Sequence, residues 1–133
     1  MNSRNISTLL LLVFAVACIA CSSENADPPI YTGLTDTVRV TAGDQFKIVL
    51  ESNITTGFSW QFATTLDSTA LRLVEHDYVP LPNPDKLLGR GGHEHWLFEA
   101  LDEGSTAIAL QYLRPWDSTS VAKEANFTVE ISK

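Results

Sequence analysis

From Tyr31 onward, apolar residues recur mostly at every second position, and no stretch of useful length holds a helical period. In "DQFKIVLE" the alternation puts Phe46, Ile48 and Leu50 on one face. "TAIALQYL" does the same with Ile108, Leu110 and Tyr112, and "NFTVEIS" with Phe127, Val129 and Ile131. Shorter runs offer Val38 with Val40, Trp60 with Phe62, Leu71 with Leu73, and Trp96 with Phe98 and Ala100. Turn-rich segments, "TAGD", "DEGS" and "RPWDS", separate several of these runs. The pattern predicts an all-β chain whose strands each turn one face to a common core.

Seven such strands in about 100 residues suit an immunoglobulin-like antiparallel β-sandwich. No Cys–Trp–Cys spacing supports an antibody-type domain. A small barrel stays open as the alternative, because alternation does not say whether a sheet closes on itself.

The N-terminus breaks the pattern. "LLLLVFAVACIA" follows a short segment carrying Arg4, and the run has the length of a secretory signal core. It ends in "ACIACSS", which holds both cysteines of the chain and resembles the lipobox of bacterial lipoprotein signal peptides. That resemblance implies cleavage before Cys21 and lipidation there. Cys18, preceded by Ala15-Val16-Ala17, is a second candidate, and an ordinary cleaved signal peptide is the plain alternative. Residues 1–20 are thus expected to be a lipoprotein signal peptide, residues 21–30 a polar tether and residues 31–133 the folded domain. Ser22 stands where an inner-membrane retention signal has aspartate, so the expected location is the cell envelope, with the outer membrane favoured.

Composition narrows the partners. Over 133 residues the net charge is -7, with nine Lys and Arg, so the chain lacks the basic face that phosphate neutralisation needs, and nucleic acid is not an expected partner. With both cysteines in the leader, no disulfide and no thiol nucleophile is expected in the folded domain.

Three loops stand out. "NITTGFSW", residues 53–60, spends two threonines where Asn-Gly would turn the chain more simply. "VPLPNPDKLLGRGG", residues 79–92, is longer than most hairpin connections and ends in glycines. In "LRPWDS", residues 113–118, Pro115 fixes its own φ and restricts Arg114, which presents Trp116 with little freedom left to lose. A tryptophan beside a loop often caps the core, and Trp60 and Trp96 fit that reading better than Trp116. Taken in order, "NITTGFSW", "GRGG" and "RPW" resemble the signature loops of the chagasin family of cysteine peptidase inhibitors. That pattern reads Asn-Pro-Thr-Thr-Gly-aromatic-any-Trp, Gly-any-Gly-Gly and Arg-Pro-Trp.

The resemblance implies a sandwich that presents all three loops at one end, as a wedge entering the cleft of a papain-like peptidase. It implies peptidase-binding roles for Asn53, Ile54, Thr55, Thr56 and Gly57 in the first loop. The same roles fall to Gly89, Arg90, Gly91 and Gly92 in the second, and to Arg114, Pro115 and Trp116 in the third. The first apex is expected to be narrow, with β-branched Thr55 and Thr56 stiffening an extended backbone and Gly57 allowing positive φ or a close approach. Asn53 is expected to form an Asx-type turn, and Phe58 and Trp60 to anchor the loop in the core. Ile54 replaces the family's proline, which removes some preorganisation.

Such an inhibitor needs no cofactor, no metal and no catalytic group, and a monomer is expected. His93 and His95 in "GGHEH" share one strand face, but Glu94 points the other way and a metal wants three or four ligands. No Ser-His-Asp pattern stands out. The competing reading is a non-inhibitory immunoglobulin-like lipoprotein module that binds another protein or a glycan through the same loops.

Overall fold

A computed structural model describes residues 26–133, so Cys18, Cys21 and the signal segment lie outside the described residues. The eight strands are β1 (Ile30–Tyr31), β2 (Thr35–Thr41), β3 (Gln45–Ser52), β4 (Ser59–Phe62), β5 (Leu71–Pro80), β6 (Gly92–Ala100), β7 (Gly104–Leu113) and β8 (Lys123–Ser132). They form two four-stranded sheets, ordered β1-β3-β6-β5 and β2-β8-β7-β4. The seven strands expected from alternation are all present. The eighth, β1, is two residues long, too short to show a period.

Burial follows the predicted faces. β3 alternates through Phe46, Ile48 and Leu50, and β8 through Phe127, Val129 and Ile131, all buried between the sheets with Trp60, Trp96, Phe98, Ile108 and Leu110. Phe46 and Phe98 stack at 5.4 Å between centroids, a pairing set by their opposed register across β3 and β6.

Two details depart from a purely antiparallel sandwich. β1 pairs with β3, and β2 with β8, in parallel, and the chain passes from the edge strand of one sheet to the edge strand of the other through residues 32–34. β5 carries a register shift between Leu73 and Glu75, which ends its alternation and leaves Val74 at the surface.

The pairing also fixes where the loops emerge. Ser52 lies opposite Gly92, Pro80 opposite Gly92, Ser59 opposite Leu113, and Tyr112 opposite Lys123. Residues 53–58, 81–91 and 114–122 therefore leave the sandwich at the same pole.

Candidate functional site

The first loop is built around Asn53. Its Oδ1 accepts from the Thr55 amide at 3.2 Å and from Thr55 Oγ1 at 2.6 Å. Its carbonyl accepts from the Thr56 amide at 3.2 Å and from Thr56 Oγ1 at 2.6 Å. Ile54–Thr56 thereby close into a single 3-10 turn, capped by Gly57 at φ 80°. The expected Asx turn and positive φ are present. The expected extended apex is not: both threonine hydroxyls bond back to Asn53, which favours a tight turn over a strand-like one.

The second loop carries internal bonds of its own. Asn83 Nδ2 donates to the Leu87 carbonyl at 2.8 Å, and the Leu87 amide donates to Asn83 Oδ1 at 2.9 Å. Of the glycines that follow, Gly89 holds a left-handed φ of 74°, and Gly91 and Gly92 answer to close packing. A Cβ on Gly91 would stand 3.1 Å from the Ser52 carbonyl, and one on Gly92 would run into the Val79 carbonyl and the Pro80 backbone. Gly92 is buried as the first residue of β6, while Arg90 is exposed. Leu88, which the pattern of glycines and prolines did not single out, is fully exposed at 100%.

The third loop turns on Asp117, whose amide donates to the Arg114 carbonyl at 2.9 Å. Asp117 Oδ1 accepts from the Thr119 amide at 3.0 Å and from Thr119 Oγ1 at 2.6 Å. These two bonds hold the Asp117 carboxyl below its usual range. Ser120 Oγ donates to the Asp117 carbonyl at 2.6 Å and accepts from the Arg114 amide at 2.8 Å. Trp116 rides on this turn with 74% of its surface exposed.

The loops are tied to one another as well as to themselves. Asn53 Nδ2 donates to the Gly89 carbonyl at 2.9 Å, which joins the first loop to the second. The Asn53 amide donates to Tyr112 Oη at 2.8 Å, so a residue assigned to the core also braces the loop through its hydroxyl. Arg114 Nε reaches the Thr56 carbonyl at 3.4 Å, and its guanidinium lies 4.6 Å from the centre of the Phe58 ring. The Trp116 ring covers Gly57. Of the two residues expected at the loop's root, Trp60 is fully buried, whereas Phe58 is half-buried between Arg114 and Tyr112. Pro115 is exposed in the turn between Arg114 and Trp116, and Ile54 is 48% exposed on the first apex.

His93 and His95 lie on β6 and Glu94 is buried between them. Among the described residues, no group of three or more His, Cys, Asp or Glu is placed to hold a metal ion. Burial pushes the His95 imidazole below its usual range, helped by the nearby Lys47.

A family model described as chagasin family peptidase inhibitor matches residues 39–131. Chagasin of Trypanosoma cruzi is 42% identical over 97 residues, a span covering 70% of this chain and 84% of chagasin. Amoebiasin-1 of Entamoeba histolytica is 29% identical over 96 residues, 72% of this chain and 88% of its own. The crystal structure of a cysteine protease inhibitor from Entamoeba histolytica matches with a TM-score of 0.65 at 25% identity, covering 80% of this chain and 98% of that one. The structure of PbICP-C in complex with falcipain-2 shares the fold at a TM-score of 0.53 and 17% identity, over 81% of this chain and 93% of its own. With its sandwich, its three interlinked loops and a family match running from β2 into β8, this chain belongs to the chagasin family of peptidase inhibitors.

Proposed function

We propose that the protein is a reversible inhibitor of papain-like cysteine peptidases that fills the active-site cleft with its three loops. The observation that carries this reading is the bonding of residues 53–57 on both sides, to Gly89 and to the Arg114–Trp116 turn, which fixes a blunt ridge before any partner arrives. The 3-10 turn of Ile54, Thr55 and Thr56, closed by Gly57, forms the centre of the ridge and obstructs the catalytic cysteine without offering an aligned peptide bond. Asn53 holds this turn in place. On one side the segment Gly89-Arg90-Gly91-Gly92 supports main-chain pairing along the cleft, with Arg90 exposed and Gly92 buried where the segment enters β6. On the other side Pro115 and Arg114 aim Trp116 at an aromatic or apolar wall of the enzyme. Inhibition is occlusion, which requires neither cofactor nor nucleophile from this chain.

The protein is further proposed to be exported and anchored to the bacterial cell envelope through lipid on Cys21, acting as a monomer on a peptidase of its own cell or of a host. Multiple acyl chains give a stable anchor, since each buried methylene contributes about 0.8 kcal/mol. Loss of membrane partition in Cys21→Ala, and its retention in Cys18→Ala, is the expected result of fractionating cells that express each.

The deciding experiment is a titration of the protein without residues 1–21 into papain with a fluorogenic peptide substrate. Interfaces of this class bury about 800 Å² per partner and are among the tight ones, so nanomolar inhibition is expected. No inhibition at micromolar concentration, with serine peptidases equally unaffected, would replace this reading with the non-inhibitory binding module.

A further inference from the structure

Glu94 is an ionisable side chain that the wedge does not use, yet it is only 2% exposed. From β6 it reaches between the sheets, where its Oε1 accepts from Ser52 Oγ at 2.7 Å and from the Trp60 amide at 3.0 Å. Ser52 is the last residue of β3, and Trp60 the second of β4, so one carboxylate oxygen holds both stems of the central loop. These stems belong to different sheets. The other oxygen meets His76 Nε2, on β5, at 2.8 Å, and the His76 ring stacks on Trp96 at 3.6 Å between centroids. Thus Glu94 gathers strands that carry the first and second loops.

A sandwich does not need an ionisable group at such a place. Burying a carboxylate costs free energy that its partners return only in part, and an apolar residue of equal volume often gives equal or greater stability. What an apolar residue lacks is direction: it does not fix the Ser52 hydroxyl and the Trp60 amide at one point. Trp60 adds a second tie, donating from Nε1 to the Glu51 carbonyl at 3.0 Å, so the stems are held on both sides of the carboxylate.

Resting on the inhibitor reading above, we propose that Glu94 is a positioning residue for the inhibitory wedge, setting the spacing of the Ser52 and Trp60 stems so that residues 53–57 are preformed for the cleft. Its contribution is to the fraction of free molecules that are competent to bind, and loss of that fraction slows association before it speeds dissociation.

The test compares Glu94→Met, which keeps volume but orphans both donors, with Glu94→Gln, whose amide oxygen still accepts from Ser52 and Trp60. Val129→Ala, at a buried position of β8 opposite Val38 and Thr106, serves as a core substitution away from the loops. Glu94→Met is expected to slow association with papain about tenfold, with a smaller change in dissociation, and Glu94→Gln to stay within about threefold of the parent. Val129→Ala is expected to lower Tm while inhibiting like the parent. In the unbound protein, the Thr56 and Gly57 amides of Glu94→Met are expected to exchange at least about tenfold faster than in the parent. Parent-like association together with parent-like exchange in Glu94→Met would overturn the proposal, as would an association defect equal to that of Val129→Ala. Should Glu94→Met fail to fold, Ser52→Ala removes one of the two ties to Oε1 and is expected to move both readouts in the same direction; no movement overturns the proposal. A parent protein that leaves papain untouched would sink the inhibitor reading, and the exchange comparison would still decide the brace.

Discussion

The indole of Trp116 lies so close on Gly57 that a Cβ there would come within 2.5 Å of the ring, and Gly57 holds a φ of 80°. One glycine thus satisfies two demands, a left-handed turn closure and a seat for the aromatic of the third loop. Gly57→Ala meets both penalties. The left-handed conformation alone costs about 1–2 kcal/mol with a side chain present, and the clash moves Trp116 or opens the turn. A fall in Tm of several degrees and a loss of papain inhibition of about tenfold or more are expected. A Gly57→Ala protein with parent-like inhibition would mean that the Trp116 seat does not matter to binding.

Trp116 itself is mostly exposed, so its removal costs the free protein little. Trp116→Ala is expected to weaken inhibition by roughly 2 kcal/mol, about thirtyfold, with Tm nearly unchanged. Unchanged inhibition by the folded variant would remove Trp116 from the contact surface.

The main features of the fold were legible because alternation is a local signal. Phe46, Ile48 and Leu50 announce a buried face without any knowledge of what they meet. β1 was not, since two residues carry no period, and neither was the shift in β5, where Val74 breaks the pattern. Among the loops, the asparagine, the glycine and the tryptophan were each identifiable from residue type. Their mutual contacts were not: nothing in the sequence says that Asn53 reaches Gly89, or that Arg114 lies over Phe58. Tyr112 shows the limit well. Its place in the alternation marks it as core, and it is core, yet its hydroxyl serves the Asn53 amide, a role that only the third dimension displays. Leu88 is illegible for the opposite reason, because a leucine in a loop carries no signal until its full exposure is known.

Full exposure of Leu88 beside the Gly89 carbonyl, which Asn53 holds, places an apolar side chain at the edge of the ridge. It has no folded-state contact to lose. Leu88→Ala is expected to leave Tm unchanged and to weaken papain inhibition by about 1 kcal/mol, roughly fivefold, through lost apolar burial in the complex. Leu88→Asp is expected to weaken it further. Equal inhibition by parent and Leu88→Asp would show that this side chain stays in water.

The Asp117 turn sets a pH limit. Its folded carboxyl titrates below the ordinary 3.8 because Thr119 donates two bonds to the charged form. For a depressed carboxyl, the contribution to stability is fully present above the unfolded pKa and is lost as pH falls through the lower folded value. The Trp116 loop is therefore expected to keep its form above pH 3.8, and to loosen as the pH falls below 3.8 through the lower folded value. Thr119→Val deletes the hydroxyl bond and is expected to raise the Asp117 midpoint, as read by an NMR titration of its side-chain carbon. An Asp117 midpoint at or above 3.8 in the parent would contradict this account.

Ile54 occupies the first position of the 3-10 turn, where the family pattern has proline. Proline suits that position, since the first amide of a helical turn has no partner within the turn and the fixed φ is already that of the turn. Asn53, just before it, sits at φ -132° and ψ 90°, an extended conformation close to the range a following proline favours. The Asn53 bonds to Thr55 and Gly89 run through its side chain and leave the Ile54 amide out of the network. Ile54→Pro is therefore expected to be accommodated, stiffening the free loop by about 0.4–1 kcal/mol. The Asn53 bonds already fix the turn and leave only the φ freedom of residue 54 to be lost on binding. With proline removing that remainder, papain inhibition is expected to tighten by about two- to fivefold, mainly through faster association. Isoleucine offers 48% of its surface to a partner, so the gain is offset if that surface is buried in the complex. Ile54→Ala separates the two effects: it removes the surface without adding the constraint. Tightening by proline together with little change in alanine assigns the position to preorganisation, whereas loss in both variants assigns it to contact and counts against the stiffening argument.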